Sequence, residues 1–124
     1  MSKKILVVED DPDMIDLARL FLQKAGYRVL GALGGQAGLD VLSREPVDLV
    51  LLDLMMGGLN GWDVLKAIRA SERWQDLPVI LISARYSMVE SAERAASCGM
   101  FSAYVSKPFV VRDLLQKIEF ALAA

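Results

Sequence analysis

The chain has 124 residues, of which 54% are hydrophobic and 24% are charged, and its formal net charge is −2. This length fits a single domain with a sizeable core, and the weak acidity argues against nucleic-acid binding by the domain itself. The chain has no histidine and one cysteine, Cys98, which excludes histidine-dependent catalysis, a cysteine or histidine zinc site and an internal disulfide.

Short apolar runs alternate with segments of helical periodicity from one end of the chain to the other. The apolar runs predict five β-strands, and the periodic segments predict five helices. The strands are expected at residues 4–9, 28–33, 47–53, 79–83 and 103–106. The helices are expected from Pro12 to just before Gly26, from Gly35 to Arg44, through Trp62, Leu65 and Ile68 after a turn-rich loop at 57–61, at 87–98 and at about 110–122.

Five strand–helix units in series predict an α/β fold in which a parallel sheet carries helices on both faces. Right-handed crossovers leave few ways of winding such a sheet, and the doubly wound, flavodoxin-like strand order 2-1-3-4-5 is the commonest for five strands. A site is expected outside the carboxyl ends of the strands, at the switch point between the first and third strands. Those two strands end in Glu9-Asp10 and in Asp53.

Polar residues stand at the ends of four apolar runs, and the predicted sheet brings them to one edge. The acids Glu9, Asp10 and Asp53 would repel one another unless a cation compensates their charge, and oxygen ligands suit Mg²⁺, Mn²⁺ or Ca²⁺. Ser83 and Lys107 end two further runs and could donate to a phosphoryl group. Taken singly, each of these residues also fits a solvated turn, a plain strand end or a surface position. Their convergence is what predicts a site for a divalent cation and a phosphoryl group.

The same residues stand in the order, and near the spacing, of a known family. Over about residues 4–122 the chain resembles the response-regulator receiver domains of the CheY-like type, which act in two-component signal transduction. The matching motifs are Glu9-Asp10, Asp53, Ser83-Ala84, Tyr104 and Lys107-Pro108-Phe109. The resemblance implies a signalling switch that catalyses only its own phosphorylation and slow dephosphorylation, rather than an enzyme that turns over a substrate.

The resemblance also implies the roles of the acidic residues. Asp53 would be the phosphoacceptor, which takes a phosphoryl group from a histidine kinase or a histidine phosphotransfer protein. Asp10 and Asp53 would bind Mg²⁺, or Mn²⁺, directly together with the main-chain carbonyl of Met55, and Glu9 would act largely through water. Asp11, by contrast, is expected to cap the first helix.

A conformational switch follows from the same resemblance. Ser83 would hydrogen-bond the phosphoryl group, Lys107 would pair with it, and Tyr104 would turn inward on activation. This would change the surface built by the fourth predicted helix, the fifth strand and the final helix, at about residues 87–122. The surface would control a downstream protein or an output domain, and a homodimer through the fourth and fifth predicted helices is a further hypothesis.

Some positions depart from the family pattern. Gly57 stands where a proline is usual, and the segment 83–107 is slightly longer than is common. The helix before the fifth strand is therefore expected to be unusual, at the expected output surface. Met88, Met100 and Phe101 would indicate a partner surface on condition that they are exposed there.

Three other interpretations remain open at the level of sequence. Asp11-Pro12-Asp13 has the spelling of the Asp-x-Asp motif of haloacid-dehalogenase-type phosphatases, although it lies past the strand end and the chain has no room for their usual cap. A flavodoxin-like flavin binder would need a hydroxyl- and glycine-rich phosphate loop after the first strand, where this chain has acids. The third is a receiver that works unphosphorylated, as a constitutive docking module.

The sequence also leads us to expect a cytoplasmic protein that does not contact membranes. No uninterrupted apolar stretch approaches the ~18 residues that span a bilayer, and the N-terminal MSKK leads into a strand without a signal-peptide pattern. We expect a single receiver domain over residues 1–124, without an output domain in this chain.

Overall fold

Five parallel β-strands form one sheet in the order β2-β1-β3-β4-β5, which confirms the order expected from the sequence. The computed structural model describes residues 2–56, 60–83 and 101–123. The strands are β1 (Lys4–Glu9), β2 (Arg28–Leu33), β3 (Leu49–Asp53), β4 (Val79–Ser83) and β5 (Ala103–Ser106). Because every strand pair is parallel, the carboxyl ends of all five strands share one edge of the sheet.

Four α-helices accompany these strands within the described residues. They are α1 (Pro12–Lys24), α2 (Gly35–Arg44), α3 (Gly61–Ala70) and α4 (Val111–Ala123), and a short 3-10 helix at Glu72–Trp74 follows α3. The predicted helix at 87–98 lies outside the described residues, as do Gly57, Met88, Cys98 and Met100. In the part of the chain that is described, no helix is long and apolar enough to cross a membrane.

Both faces of the sheet are covered by helices, and the alternation of side chains along the strands divides the core in two. Under α1 and α4, on what we call the α1/α4 face, the strands bury Ile5, Val7, Leu49, Leu51, Ile80, Ile82 and Val105. Under α2 and α3, on the α2/α3 face, they bury Leu6, Val8, Ala32, Val50, Leu52, Val79 and Leu81. This two-sided burial explains why the strands appear in the sequence as continuous apolar runs.

Side-chain caps begin two of the helices. The carboxylate of Asp11 accepts a hydrogen bond of 3.0 Å from the main-chain N–H of Asp13, and Pro12 is the first residue of α1, as predicted. The side-chain oxygen of Asn60 accepts a hydrogen bond of 3.0 Å from the main-chain N–H of Asp63 at the start of α3. The first of these caps explains the Asp11-Pro12-Asp13 sequence as the start of a helix. The phosphatase interpretation is not needed to account for it.

The third strand begins at Leu49, later than the predicted residue 47. Asp48 provides the physical reason, because its carboxylate accepts the main-chain N–H of Lys4 at 2.7 Å. Its own main-chain N–H donates to the carbonyl of Lys4 at 2.8 Å. The Asp48 carboxylate therefore occupies the N–H of Lys4, which would otherwise donate to a main-chain carbonyl of the neighbouring strand. The pairing of β1 with β3 accordingly begins after Asp48.

Candidate functional site

Glu9, Asp53 and Lys107 come from the carboxyl ends of three different strands. In β1 and β3, the residues two and four positions earlier pack in the core of the α1/α4 face, and Val105 does the same in β5. The alternation along each strand thus directs the three charged side chains to the same side of the sheet edge. Glu9 and Asp53 are only 5% and 4% exposed, so this edge holds two buried carboxyl groups.

Lys107 joins the two buried carboxyl groups. Its Nζ lies 3.3 Å from Oε2 of Glu9 and 3.3 Å from Oδ2 of Asp53. Its main-chain N–H donates to the carbonyl of Ser83 at 2.8 Å, which holds the start of the side chain beside the end of β4. The peptide bond between Lys107 and Pro108 is cis. Buried charges need partners of this kind, because the desolvation of an unpaired ion is costly.

Asp10 adds a third carboxylate at the solvent side of this pair. Glu9, Asp10 and Asp53 each offer one oxygen, and the three oxygens lie within 4.8 Å of one another. If all three acids are ionised, the single ammonium of Lys107 leaves an excess of negative charge among them. A set of carboxylate oxygens with uncompensated charge fits a hard dication such as Mg²⁺, which is bound by one or two carboxylates and keeps several waters.

The two oxygens of Asp53 have different partners. Oδ1 accepts a hydrogen bond of 2.9 Å from the main-chain N–H of Met55, whereas Oδ2 faces Lys107. The main chain between Asp53 and Met55 is also held in place, because the N–H of Leu54 donates to the carbonyl of Ile82 in β4 at 2.9 Å. The orientation of the Asp53 carboxylate is therefore set from both sides. The contact through the N–H of Met55 was not expected from the sequence.

Ser83 and Tyr104 belong to the other side of the sheet. In β4, Ser83 follows Val79 and Leu81 in the alternation, and both of these pack in the core of the α2/α3 face. Ser83 is 3% exposed, and Tyr104 is half-buried against the same core. The ring of Tyr104 meets the ring of Phe101 edge-to-face, with centroids 6.3 Å apart. Phe101 is buried and does not meet the condition set above for a partner surface.

Comparison with known proteins agrees with this placement. A family model for the response regulator receiver domain matches residues 5–119. The chain belongs to the response regulator receiver family. Its five-stranded sheet and its strand order are those of the CheY-like fold.

Individual relatives of this receiver domain are similar over its whole length. Response regulator GtcR of Aneurinibacillus migulanus is 32% identical over 98% of the chain, which corresponds to 48% of GtcR. The response regulator TrrA of Thermotoga maritima, solved in complex with Mg²⁺-BeF, is 31% identical with a TM-score of 0.84, covering 96% of the chain and 98% of TrrA. A CheY-like receiver domain protein of Methanospirillum hungatei JF-1 is 28% identical with a TM-score of 0.88, covering 99% and 95%. The chain spans about half the length of the curated relatives it matches.

The receiver domain places Glu9 where its charge is disfavoured. Burial, followed by the hydrogen bond to Asp53 and the charge of Asp53, raises the pKa of Glu9 to about 7, and the opposing effect of Lys107 is smaller. Burial acts to lower the pKa of Lys107, but Asp53 and Glu9 together outweigh it, so this pKa is raised and the ammonium keeps its charge. Without a metal ion, the carboxyl group of Glu9 is therefore partly protonated near neutral pH.

Two aromatic side chains line the same small cavity as Glu9. The rings of Phe21, from α1, and Phe109, two residues after Lys107, meet edge-to-face with centroids 6.1 Å apart. The cavity has a volume of about 20 Å³, and Met14 lines it as well. The resemblance named Phe109 only as part of a motif, and the helical pattern named Phe21 only as a core residue. Their contact with each other at the cavity of Glu9 depends on how α1 and the segment before α4 approach each other.

Proposed function

We propose that Asp53 is the phosphoacceptor of this receiver domain and that its donor is a phosphorylated histidine on a partner kinase or phosphotransfer protein. In the transfer, a carboxylate oxygen of Asp53 forms a bond to phosphorus while the phosphorus–nitrogen bond of the donor breaks, and the bonding electron pair returns to the imidazole. The observation that carries the proposal is the position of Lys107, whose ammonium lies 3.3 Å from the buried carboxylate of Asp53.

The acidic residues supply a binding site for Mg²⁺, and Mn²⁺ would fit the same donors. Glu9, Asp10 and Asp53 would hold the ion, together with the main-chain carbonyl of Met55, and the proximity of the three carboxylate oxygens supports this assignment. The Mg²⁺-BeF complex of TrrA supports it from a relative. When bound, the ion offsets the negative charges of the carboxylate and of the incoming phosphoryl group.

The ammonium of Lys107 also offsets negative charge on the phosphoryl group. Phosphoryl transfer between two anionic groups depends on positioning and on electrostatic stabilisation of the transferred group. The ammonium of Lys107 already faces Oδ2 of Asp53, so it meets the phosphoryl oxygens without rearranging the sheet. The hydrogen bond from Met55 to Oδ1 restricts the carboxylate to a single orientation during the attack.

Phosphorylation of Asp53 would change the positions of Ser83 and Tyr104. The hydroxyl of Ser83 would donate to a phosphoryl oxygen, and Tyr104 would then occupy the space that the end of β4 leaves. The burial of both residues against the α2/α3 face supports a connection through that half of the core. The surface that changes would include β5 and α4, and it would control a downstream protein or an output domain.

A homodimer is a separate proposal from the phosphoryl transfer. It would use α4 and the segment predicted to form the fourth helix, which lies outside the described residues. Sedimentation with and without a phosphoryl mimic tests it directly. A monomer under both conditions would remove the homodimer and leave the rest of the proposed function intact.

Intact mass tests the central proposal. The wild type is incubated with Mg²⁺ and a small phosphodonor, beside Asp53→Asn and beside Asp13→Asn as a matched change at an exposed acid of α1. We expect one added phosphoryl group on the wild type and on Asp13→Asn, none on Asp53→Asn, and none without Mg²⁺. The absence of an adduct on the wild type, under conditions that label a known receiver, would contradict the proposal and favour a docking module that works unphosphorylated.

A further inference from the structure

The first residue of α3, Gly61, lies directly against the main chain of the proposed phosphoacceptor. A Cβ atom at this position would lie 2.5 Å from the carbonyl oxygen of Asp53 and 2.5 Å from the Cα of Leu54. It would also lie 3.1 Å from the carbonyl carbon of Asp53. Even the smallest side chain at residue 61 would therefore overlap the backbone that carries the Asp53 carboxylate.

Two other glycines are packed closely but against different atoms. A Cβ at Gly31, in β2, would lie 2.6 Å from Cγ2 of Ile15, and a Cβ at Gly38, in α2, would lie 2.8 Å from Cγ2 of Val8. In both cases the contacted atoms belong to a buried side chain, so an added methyl group would cost packing energy in the core. At Gly61 the contacted atoms belong to the main chain at the end of β3.

The helix that carries Gly61 has little freedom to retreat. The side chains of Val64, Leu65 and Ile68 anchor α3 in the core of the α2/α3 face, and all three are fully buried. The main-chain N–H of Gly61 also donates to the carbonyl of Leu54 at 3.2 Å. An added methyl group would therefore press on the peptide between Asp53 and Leu54 and strain the hydrogen bond from the N–H of Leu54 to the carbonyl of Ile82.

We propose that Gly61 is a positioning residue for the phosphoryl-transfer site. The absence of a side chain lets α3 rest on the carbonyl of Asp53, and this contact sets where the carboxylate of Asp53 stands relative to Asp10, Met55 and Lys107. The inference rests on the proposed role of Asp53. Since a misplacement of about 1 Å can cost a rate factor of about 10², a shift of this peptide has a large effect on transfer and on metal binding.

The test compares Gly61→Ala with two controls. Gly31→Ala is the same chemical change against a side chain of α1, and Val64→Ala loosens the packing of α3 in the core of the α2/α3 face while Gly61 is retained. Each variant is measured for its free energy of unfolding in urea, its Mg²⁺ affinity from the Mg²⁺-dependent rise in Tm, and its labelling rate with a small phosphodonor at saturating Mg²⁺ and donor. A purely structural role would move the first quantity alone.

We expect all three variants to lose stability, but only Gly61→Ala to lose about tenfold or more in labelling rate together with several-fold in Mg²⁺ affinity. A wild-type rate and affinity in Gly61→Ala, or an equal loss in Gly31→Ala or Val64→Ala, would overturn the proposal. If Gly61→Ala is not folded in buffer, the measurements are repeated in sucrose, which favours compact states. Failure to fold there, while the controls fold, would also overturn it in favour of a structural role.

The labelling of the wild type and of Gly61→Ala distinguishes a failure of the role of Gly61 from a failure of the proposed function. If the wild type is labelled and Gly61→Ala is labelled equally well, only the role of Gly61 fails. If the wild type itself takes no phosphoryl group, the proposed function fails, and the Mg²⁺ affinities of Gly61→Ala and its controls still decide whether Gly61 positions the acidic site.

Discussion

Nζ of Lys107 lies 3.3 Å from Oδ2 of Asp53, although the whole of β4 separates the two strands from which these residues come. Neighbouring strands are about 4.8 Å apart, so the side chain of Lys107 has to cross the end of β4 to reach β3. It then also reaches Glu9 at the end of β1. This span suits the long, flexible stem and compact ammonium of lysine.

Removal of the Lys107 charge should slow phosphorylation strongly. Lys107→Met keeps a long side chain over β4 but removes the ammonium that faces Asp53. We expect the labelling rate at saturating Mg²⁺ to fall by about 10²- to 10³-fold, as for the loss of one preorganised donor in other active sites. The rate is followed by intact mass. Lys24→Met, at the exposed end of α1, is the control, and equal rates for the two variants would contradict this role.

The raised pKa of Glu9 predicts how stability depends on pH in the metal-free protein. This pKa is about 7 in the folded state, against an ordinary value of 4.5, so the folded state binds more protons than the unfolded state between these values. The free energy of unfolding should therefore fall as the pH rises from 4.5 to 7, by on the order of 3 kcal/mol from this group.

Glu9→Gln isolates that contribution, because the amide resembles the protonated acid and does not titrate. Urea unfolding in the presence of a chelator should give the wild type a fall in stability that Glu9→Gln lacks, with the variant the more stable of the two at pH 8. Glu72→Gln, an exposed change on the 3-10 helix, should behave like the wild type. Parallel pH profiles for the wild type and Glu9→Gln would show that Glu9 keeps an ordinary pKa.

Mg²⁺ should stabilise the folded protein through the acidic residues. A ligand that binds only the folded state at a hundredfold excess over its Kd adds about 2.7 kcal/mol to the free energy of unfolding. We expect Mg²⁺ to raise the Tm of the wild type and of Asp13→Asn, and to leave that of Asp10→Asn nearly unchanged. Calorimetry with and without a chelator measures this. An undiminished response of Asp10→Asn to Mg²⁺ would remove Asp10 from the ligand set.

Replacement of Ser83 should leave the phosphorylation of Asp53 intact but abolish the conformational change that follows it. In Ser83→Ala we expect Asp53 still to be labelled, because Lys107 and the acidic residues are retained, but the change at Tyr104 to be lost. Fluorotyrosine incorporated at the three tyrosines reports that change by ¹⁹F NMR, and Tyr104→Phe identifies its signal. A wild-type shift of the Tyr104 signal in phosphorylated Ser83→Ala would contradict the coupling between these residues.

The fold was largely predictable because the central strands β1, β3 and β4 are buried on both faces. Runs such as Leu49–Leu52 leave no polar position until the strand ends, so the ends of these three strands are visible in the sequence. The start of β3 was not predictable, because it depends on a contact between Asp48 and Lys4 across the sheet. The predicted helix at 87–98 lies outside the described residues and stays a prediction.

The site was predictable to the level of residue types at the strand ends, but not to the level of their contacts. The sequence indicates that Glu9, Asp53 and Lys107 share an edge, and the structure adds that one ammonium serves both carboxyl groups. The role of Gly61 was hidden for a different reason. In the sequence it is one of several glycines in a turn-rich segment, and only the approach of α3 to the main chain of Asp53 distinguishes it.

The ion pairs of Lys107 join residues that are far apart in the sequence and are therefore synthesised at different times. Its partners Glu9 and Asp53 precede it in the chain by 98 and 54 residues. A nascent or truncated chain that ends before residue 107 contains both acids but lacks the ammonium that compensates them. These ion pairs thus form only once β5 has been made and inserted, and if Asp53 is the phosphoacceptor, we expect chains that end before residue 107 not to be phosphorylated.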